Sequence, residues 1–237
     1  MTSDWMTTEE AGRELGITRA MVRKLLGTGA LLSAGKAGRS HLVDRSSVLR
    51  YKNRRPRTGR SWAEKTSWAA LSLISGGTAD WLDAAEKYRL KRRLSTMSAT
   101  ELTAAVSTKD RTERYRIATS GVERIKPHLL GTGAAALNDP QVARHFKLAG
   151  GGGTVEGYIE AGEASRLIDA YSMVPDPGGN VVLHIVKLTV PFKAGKTPTV
   201  AVAVDLMNSL ATRERNAGEQ VLTKTFENWK GQNFDRA

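Results

Sequence analysis

The sequence contains no cysteine among its 237 residues, and this absence excludes several kinds of chemistry. Disulfide frameworks, zinc ribbons, thiolate nucleophiles and iron–sulfur clusters all need cysteine. The four histidines are spread along the chain without a close ligand pair, so we predict no metal site, and we expect no cofactor. A chain without cysteine suits a reducing compartment, and we expect the protein to lie in the cytoplasm.

Long apolar runs are also missing. The best run, from Trp68 to Ile74, is interrupted by Ser72 and is far shorter than the roughly 18 residues of a membrane span. The opening residues MTSDWMTTEE are acidic and polar, unlike the basic and then apolar start of a signal peptide. We therefore expect neither export nor a membrane partner.

Charge is abundant and unevenly distributed, with a net value of +12. Residues 1–60 hold 13 basic and 5 acidic side chains (+8), residues 61–126 hold 12 and 8 (+4), and residues 127–237 hold 11 and 11 (0). A basic excess favours a polyanionic partner such as nucleic acid. Because most of the excess lies in the first quarter of the chain, we predict DNA binding there and another role for the neutral remainder.

The first 30 residues show the start and stop signals of two short helices. A threonine pair before two glutamates predicts a capped helix that ends at Gly16. Thr18 predicts the N-cap of a second helix, with an apolar face at Val22 and Leu25. Two short helices joined at a glycine turn form a helix-turn-helix. Candidate DNA contacts on the start and outer face of the second helix are Thr18, Arg19, Ala20, Met21, Arg23 and Lys24.

A wing is predicted after the second helix. Short strands at 31–33 and 41–43 flank the glycine-containing tip AGKAGRS, and Asp44 is predicted to cap a third short helix. The basic stretch that follows is broken by Pro56 and Gly59, which is typical of a linker that can lie on a phosphate backbone. These segments add further candidate DNA contacts, namely Lys36, Arg39, Ser40, Arg54, Arg55 and Arg57.

The basic side chains are expected to divide between two tasks. Arg19 or Arg23 can donate two hydrogen bonds to guanine, which discriminates between bases by ~1–3 kcal/mol. Lys24 and the wing cations are expected to hold phosphates, which position the protein without reading sequence. Met21, like its neighbour Ala20, offers only apolar contacts such as one to a thymine methyl group.

The rest of the chain changes pattern near residue 127. Residues 61–126 are predicted to be helical, with an apolar segment ended by Gly76 and Gly77 and a second helix capped by Thr78. The tryptophans there are predicted to be core, and the basic residues of 87–93 to form a solvated face, with an auxiliary DNA contact as the alternative. Farther along, strands are predicted at 155–159, 181–190 and 200–204, and helices at 161–171 and 212–229.

These patterns predict an α+β protein with three parts. They are a winged helix-turn-helix DNA-binding domain at 1–55, a basic linker and helical connector at 56–126, and a mixed α/β regulatory domain with a small sheet at 127–237.

The C-terminal part carries no recognisable catalytic motif. The glycines of 150–153 lack the Lys-Ser/Thr of a P-loop, and the chain has neither a G-x-S-x-G elbow nor a D-x-D carboxylate pair. Asp205 is a lone acid and is predicted to cap or bridge the next helix. We therefore predict no catalytic residues and no enzyme activity, with a nucleotidyltransferase-like enzyme as an alternative.

The N-terminal segment reads TTEEAGRELGITRAMVRKLLGTGAL, then the wing, then VDRSSVLRYK. This segment resembles the small winged helix-turn-helix of the excisionase and MerR-like DNA-binding group. The resemblance covers about residues 5–55. It implies that the second helix enters the major groove of double-stranded DNA and that the wing contacts the backbone or the minor groove.

Beyond the wing, short pieces within residues 61–225 resemble actinobacterial helix-turn-helix proteins related to the abortive-infection type IV antitoxins. The pieces are SWAEKTSWAALSLISGGTADWL, HLLGTGAAAL, EAGEASRLIDAY, GGNVVLHIV, VPF and VAVDLMNSLATRERNAGEQVL. The resemblance implies a transcriptional repressor of its own operon that counteracts a nucleotidyltransferase-like toxin encoded beside it. As a DNA-binding protein in the cytoplasm, the chain is expected to associate with the nucleoid.

We therefore expect a sequence-specific regulator that binds operator DNA, as an autorepressing antitoxin with such a toxin as its partner. Because one helix-turn-helix makes a small footprint, we expect a homodimer or tandem binding on DNA. A recombination directionality or architectural factor of a mobile element is the alternative, and a pure interaction module is another.

Overall fold

The computed structural model describes residues 5–28, 30–38, 40–54, 61–107, 109–150, 154–176, 178–192 and 195–234. The chain forms two compact units, Met1–Arg55 and Pro56–Ala237. The connector and the C-terminal domain, which the sequence predicts as separate parts, lie together in the second unit. They do so because both supply side chains to one core, which extends from Trp62 to Trp229.

The N-terminal unit, as far as it is described, is a small sheet packed with three helices. Its elements are β1 (Trp5–Thr7), α1 (Thr8–Leu15), α2 (Arg19–Gly27), β2 (Ser33–Ala37), β3 (Ser40–Asp44) and α3 (Arg45–Arg54). The strands are antiparallel in the order β1-β3-β2. Buried side chains from the helices and the sheet form one small core, made of Met6, Ala11, Leu15, Val22, Leu25, Leu31, Val43 and Val48.

The wing differs from its predicted form in two respects. The sequence does not indicate β1, which pairs with β3 and places Trp5 opposite Asp44. The predicted first strand at 31–33 is also wrong, because β2 begins at Ser33 and includes part of the expected tip. Gly35, with a φ of 115°, lies at an irregularity within the strand, and Gly38, with a φ of 59°, lies in the turn.

The second unit, within the described residues, is a mixed sheet covered by helices on both faces. Its helices are α4 (Glu64–Ile74), α5 (Ala84–Thr96), α6 (Ala99–Ala105), α7 (Thr119–Ile125), α8 (Gly133–Ala136), α9 (Pro140–Phe146), α10 (Ala161–Ala170), α11 (Thr199–Leu206) and α12 (Thr212–Phe234). Its strands are β4 (Arg111–Arg116), β5 (Leu130–Gly131), β6 (Val155–Glu160), β7 (Val174–Pro175) and β8 (Val181–Val186), with short 3₁₀ turns at Lys126–His128 and Val190–Phe192.

The strand order in this sheet is β5-β6-β8-β4-β7, with β6 and β8 parallel and the other neighbours antiparallel. All six residues of β8 are buried because both faces of this central strand are covered. Leu183 and Ile185 face a core shared with α7 and α10, whereas Val186 faces the larger core shared with α4, α11 and α12. Since strand side chains alternate, His184 also faces the larger core.

Three predictions for this unit are wrong. The predicted strand at 200–204 is α11, an apolar helix whose residues from Val200 to Leu206 are all buried, and such a short apolar run does not distinguish a strand from a buried helix. The helix expected to begin at Thr78 begins after Asp83, which caps it with Glu86. The predicted connector contains β4, whose sequence RTERYR lacks an apolar strand pattern.

The remaining predicted elements are present, although their ends differ. β6, α10 and α12 appear where strands and helices are expected. β8 ends at Val186, short of the predicted residue 190, and a 3₁₀ turn containing Pro191 follows. Within the described part of the chain, no helix is both long enough and apolar enough to span a membrane.

Candidate functional site

Both helices of the N-terminal pair begin at threonine caps. The Thr7 hydroxyl accepts a hydrogen bond from the Glu10 amide at 3.2 Å, and the Glu10 carboxylate accepts one from the Thr7 amide at 2.7 Å. The Thr18 hydroxyl accepts from the Met21 amide at 3.3 Å at the start of α2. Each cap satisfies an amide that the helix leaves without an internal partner, so the start of α2 is fixed locally by the sequence.

The turn between the two helices is tight. Gly16 ends α1 in the left-handed conformation, with a φ of 62° and a ψ of 38°. The amide of Ile17 then donates to the carbonyl of Gly12 at 2.9 Å. A β-carbon at Gly12 would lie 2.9 Å from the Ile17 carbonyl oxygen, so only glycine allows this close approach.

Helix α2 has a buried face and an exposed face. Val22 and Leu25 are buried in the small core, which fixes the rotation of the helix. The side chains on the opposite side that are predicted to contact DNA are all exposed, and these are Arg19, Ala20, Met21, Arg23 and Lys24. We call this set the α2 face. It carries three cations, and the helix contains no acidic residue.

The predicted contacts outside α2 lie in the wing and after α3. Lys36 belongs to β2, Ser40 to β3 and Arg54 to α3, but their side chains are not described. Arg39, Arg55 and Arg57 lie outside the described residues.

Helix α3 is attached to the rest of the N-terminal unit at both ends. Asp44 caps it as predicted, accepting from the Ser47 amide at 2.6 Å. Near its other end, the Lys52 ammonium lies 2.7 Å from the Glu14 carboxylate of α1.

A family model described as a helix-turn-helix domain matches residues 5–56. No curated protein and no solved structure matches the chain. The N-terminal unit is therefore a helix-turn-helix domain, a class whose second helix docks in the major groove of DNA. The predicted α+β fold with this domain at its N-terminus is confirmed, whereas contact with DNA by the individual α2 residues stays a prediction.

The second unit contains a cluster of charged and polar side chains at its centre. Lys109 and Asp110 precede β4, Asp205 lies near the end of α11, and His184 lies on β8. We call the full set the buried network: Lys109, Asp110, Thr132, Glu156, Tyr158, His184 and Asp205. The side chains of Lys109, Asp110, His184 and Asp205 are each 5% exposed or less.

The network has two connected halves. Asp205 lies 2.8 Å from the Lys109 ammonium and accepts hydrogen bonds from the hydroxyls of Thr132 at 2.6 Å and Tyr158 at 2.5 Å. Lys109 also lies 3.0 Å from the Asp110 carboxylate, and His184 continues the chain. One imidazole nitrogen of His184 lies 2.7 Å from Asp110 and the other lies 2.9 Å from Glu156.

Neighbouring charges shift the pKa values of the buried histidine, lysine and tyrosine. Burial by itself lowers the pKa of His184, but the carboxylates of Asp110 and Asp205 outweigh it and raise that pKa to about 9. The same two carboxylates outweigh burial at Lys109 and hold its pKa above the ordinary value. Burial raises the pKa of the Tyr158 hydroxyl, as does the nearby Asp205 carboxylate. The network is therefore held together by two buried cations facing two buried carboxylates.

The geometry also bears on metal binding, which the sequence gave no reason to expect. Asp110, His184 and Asp205 bring possible ligand atoms within 4.8 Å of one another, a spacing that a metal ion can use. The Lys109 ammonium already contacts both carboxylates, so a metal ion would have to displace a buried cation. We interpret the cluster as an ionic network that joins β4, β6, β8 and α11.

Sequence reasoning missed this network. It treated Asp205 as a lone acid that caps or bridges the next helix, whereas the carboxylate pairs with Lys109 from a distant segment. The one available signal is that Asp205 and His184 interrupt strongly apolar stretches, because a charge inside a buried element needs a partner.

Proposed function

We propose that this protein is a sequence-specific transcriptional regulator that binds double-stranded operator DNA through its helix-turn-helix domain. The observation that carries the proposal is the α2 face. Three cations and one exposed methionine lie on the solvent side of a helix whose opposite side is fixed in a core. This arrangement suits a helix that enters the major groove.

The spacing of the two arginines supports direct recognition of bases. Arg19 and Arg23 are four residues apart, so they lie on neighbouring turns of the same side of α2. Each can place a planar guanidinium against a guanine edge, while Lys24 reaches a phosphate. Met21, whose exposed fraction is 40%, supplies an apolar contact next to these charges.

We further propose that the regulator represses its own operon and that its second unit acts as an antitoxin against a nucleotidyltransferase-like toxin. This part of the proposal is supported by the resemblance of residues 61–225 to type IV antitoxins. A homodimer or tandem binding would supply the second recognition helix that an operator of ordinary length needs.

DNase footprinting on the region upstream of the gene tests the regulatory proposal. We expect a discrete protected site that overlaps the promoter and contains a palindrome or a direct repeat. Uniform protection at all positions would contradict operator recognition. If the upstream region is not protected and the same assay on a phage attachment region shows clustered protected sites, the result would instead favour a recombination directionality factor.

Co-expression with the neighbouring gene tests the antitoxin role. We expect the neighbouring product to stop growth when expressed alone and the full chain to restore growth. The variant Arg23→Ala should still restore growth, because the proposal assigns neutralisation to the second unit. A neighbouring product that is harmless alone would overturn this role and leave the regulatory proposal standing.

A further inference from the structure

The second unit contains an open cleft that shares Tyr158 with the buried network and whose lining lies outside the helix-turn-helix domain. It has a volume of about 650 Å³, which is within the range of small-molecule sites. Helix α10 forms one wall, β6 forms the floor, and the segments around residues 128–130 and 186–192 complete it. We call it the α10 cleft.

Aromatic rings form much of the lining. Tyr158 and Phe192 lie side by side, with ring centroids 5.2 Å apart and an angle of 32° between the rings. His128 and Tyr171 also line the cleft, and their ring centroids are 6.4 Å apart in an edge arrangement. Aliphatic side chains fill much of the space between them. Tyr158 and Phe192 are 1% and 8% exposed, so a flat, unsaturated ligand would stack on or meet the ring edges of the more open His128 and Tyr171.

The floor of the cleft is held in place before any ligand arrives. Tyr158 is 1% exposed, its hydroxyl donates to Asp205, and its ring meets the ring of Trp68 edge-on at 5.0 Å. Phe192 packs on the same Trp68 ring, with centroids 4.7 Å apart. A preformed floor lowers the ordering cost of binding.

The charged groups at the cleft are mainly acidic. Glu160 and Glu163 line it together with one cation, Arg166. The Arg166 guanidinium lies 2.5 Å from the Glu163 carboxylate, so its charge is matched within the wall. Glu160 remains as a second carboxylate, and its oxygen accepts from the amides at the start of α10. Among the described residues of the lining, an anionic ligand would therefore meet two carboxylates and one cation that is already paired with Glu163.

We propose that the α10 cleft binds a small planar aromatic molecule that is neutral or positively charged. The aromatic rings of the lining select for a flat ligand, and the carboxylates of Glu160 and Glu163 select against a negative charge. The proposal does not depend on DNA binding, so it can be tested on the full chain without DNA.

Two fluorescent probes with the same ring system separate shape from charge. Phenylnaphthylamine is neutral, and anilinonaphthalene sulfonate carries the same rings with one added negative charge. We expect saturable fluorescence enhancement with the neutral probe. The anionic probe should bind at least roughly fivefold more weakly, because the carboxylates of Glu160 and Glu163 repel it. Equal or tighter binding of the anionic probe would overturn the charge part of the proposal, and no saturable binding of either would overturn the site.

A filling variant locates the binding. Ala170 lines the cleft and is exposed, so Ala170→Trp can occupy the space without disturbing the core. It should abolish saturable binding of the neutral probe. Ala85→Trp is the matched control, because Ala85 is an exposed helical alanine of α5 that does not line the cleft. Unchanged binding by Ala170→Trp would place the probe elsewhere and refute the proposal.

A charge reversal tests the rim independently. Glu163→Lys should strengthen binding of the anionic probe by about fivefold or more while leaving the neutral probe nearly unchanged. Glu219→Lys changes the net charge of the chain by the same amount from an exposed position on α12, and it should change neither. Equal responses to both variants would mean that net charge, and not the cleft, controls binding.

Discussion

The Lys109 ammonium lies 2.8 Å from the Asp205 carboxylate, and the two side chains are only 5% and 1% exposed. The pair connects the segment before β4 to the end of α11, so it joins the part predicted as a connector to the part predicted as a separate domain. Buried charges are costly to desolvate and are tolerated when they are paired and hydrogen-bonded. The ion pair between Lys109 and Asp205 is one reason why residues 56–237 form a single unit.

Removing the cation should destabilise this unit strongly. Lys109→Met leaves Asp110 and Asp205 buried beside each other without their shared ammonium, so we expect the free energy of unfolding to fall by about 3–5 kcal/mol. Urea denaturation followed by tryptophan fluorescence measures the change. The control is Lys126→Met, which breaks the exposed pair with Glu123 and should cost less than about 1 kcal/mol. A Lys109→Met protein as stable as the control would contradict the role of Lys109 as the buried partner of Asp110 and Asp205.

Stability should also decrease in mildly alkaline solution. The folded-state pKa of His184 is about 9, above its ordinary value of 6.5, because Asp110, Asp205 and Glu156 face the imidazole. The contribution of protonated His184 is complete below pH 6.5 and is lost as the pH rises through 9. The urea midpoint should therefore fall over that interval, and His184→Gln should flatten the fall. A midpoint that rises there would refute the charged state of His184.

Two glycines of the N-terminal unit should respond differently to the same change. Gly12→Ala places a methyl group 2.9 Å from the Ile17 carbonyl oxygen, so we expect a loss of about 1–3 kcal/mol. At Gly27 no described atom beyond the chain neighbours and the backbone of α2 itself lies within 4 Å of the added carbon, and Gly27→Ala should be neutral or stabilise α2 by up to about 1 kcal/mol. Thermal unfolding measures the stability of the two variants. If both lose the same stability, the close contact between Gly12 and Ile17 in the turn is contradicted.

The features predicted from sequence are mainly those set by neighbouring residues. Thr18 caps α2 and Gly16 ends α1 through contacts within a few residues, so both helix limits can be deduced from local patterns. The exposed α2 face follows from the same helical periodicity. Strand β1 lacks such a signal, because Trp5 gains its strand partner only from Asp44, far along the chain.

The buried network could not be predicted for the same reason. Lys109, His184 and Asp205 come from three distant segments, and only the folded sheet brings them together. The local sequence pattern also gave the wrong secondary structure for α11. Its alternating valines and alanines match a strand, but the segment is buried on all sides, where strand and helix patterns look alike.

Arg23 and Lys24 should have separable effects on DNA binding. Arg23→Ala should weaken binding to the operator by about 1–3 kcal/mol and weaken random duplex less, because a guanine contact carries sequence information. Lys24→Ala should weaken both duplexes alike and reduce the slope of log affinity against log salt by about 1. Anisotropy titrations at several salt concentrations measure both effects.

The control for this pair is Arg213→Ala, which removes an exposed cation from α12 in the second unit. It should leave the ratio between operator and random duplex unchanged. If Arg23→Ala and Lys24→Ala weaken both duplexes equally, the proposed division between base reading and phosphate binding is incorrect.

The most direct measurement is the ratio of two dissociation constants for the full chain, obtained by fluorescence anisotropy at one salt concentration. One duplex contains the chain's own promoter region, and the other is a scrambled duplex of the same length and composition. We predict that the promoter duplex binds about 10³-fold more tightly or better, as expected for a sequence-specific regulator. A ratio near one would contradict sequence-specific recognition by α2.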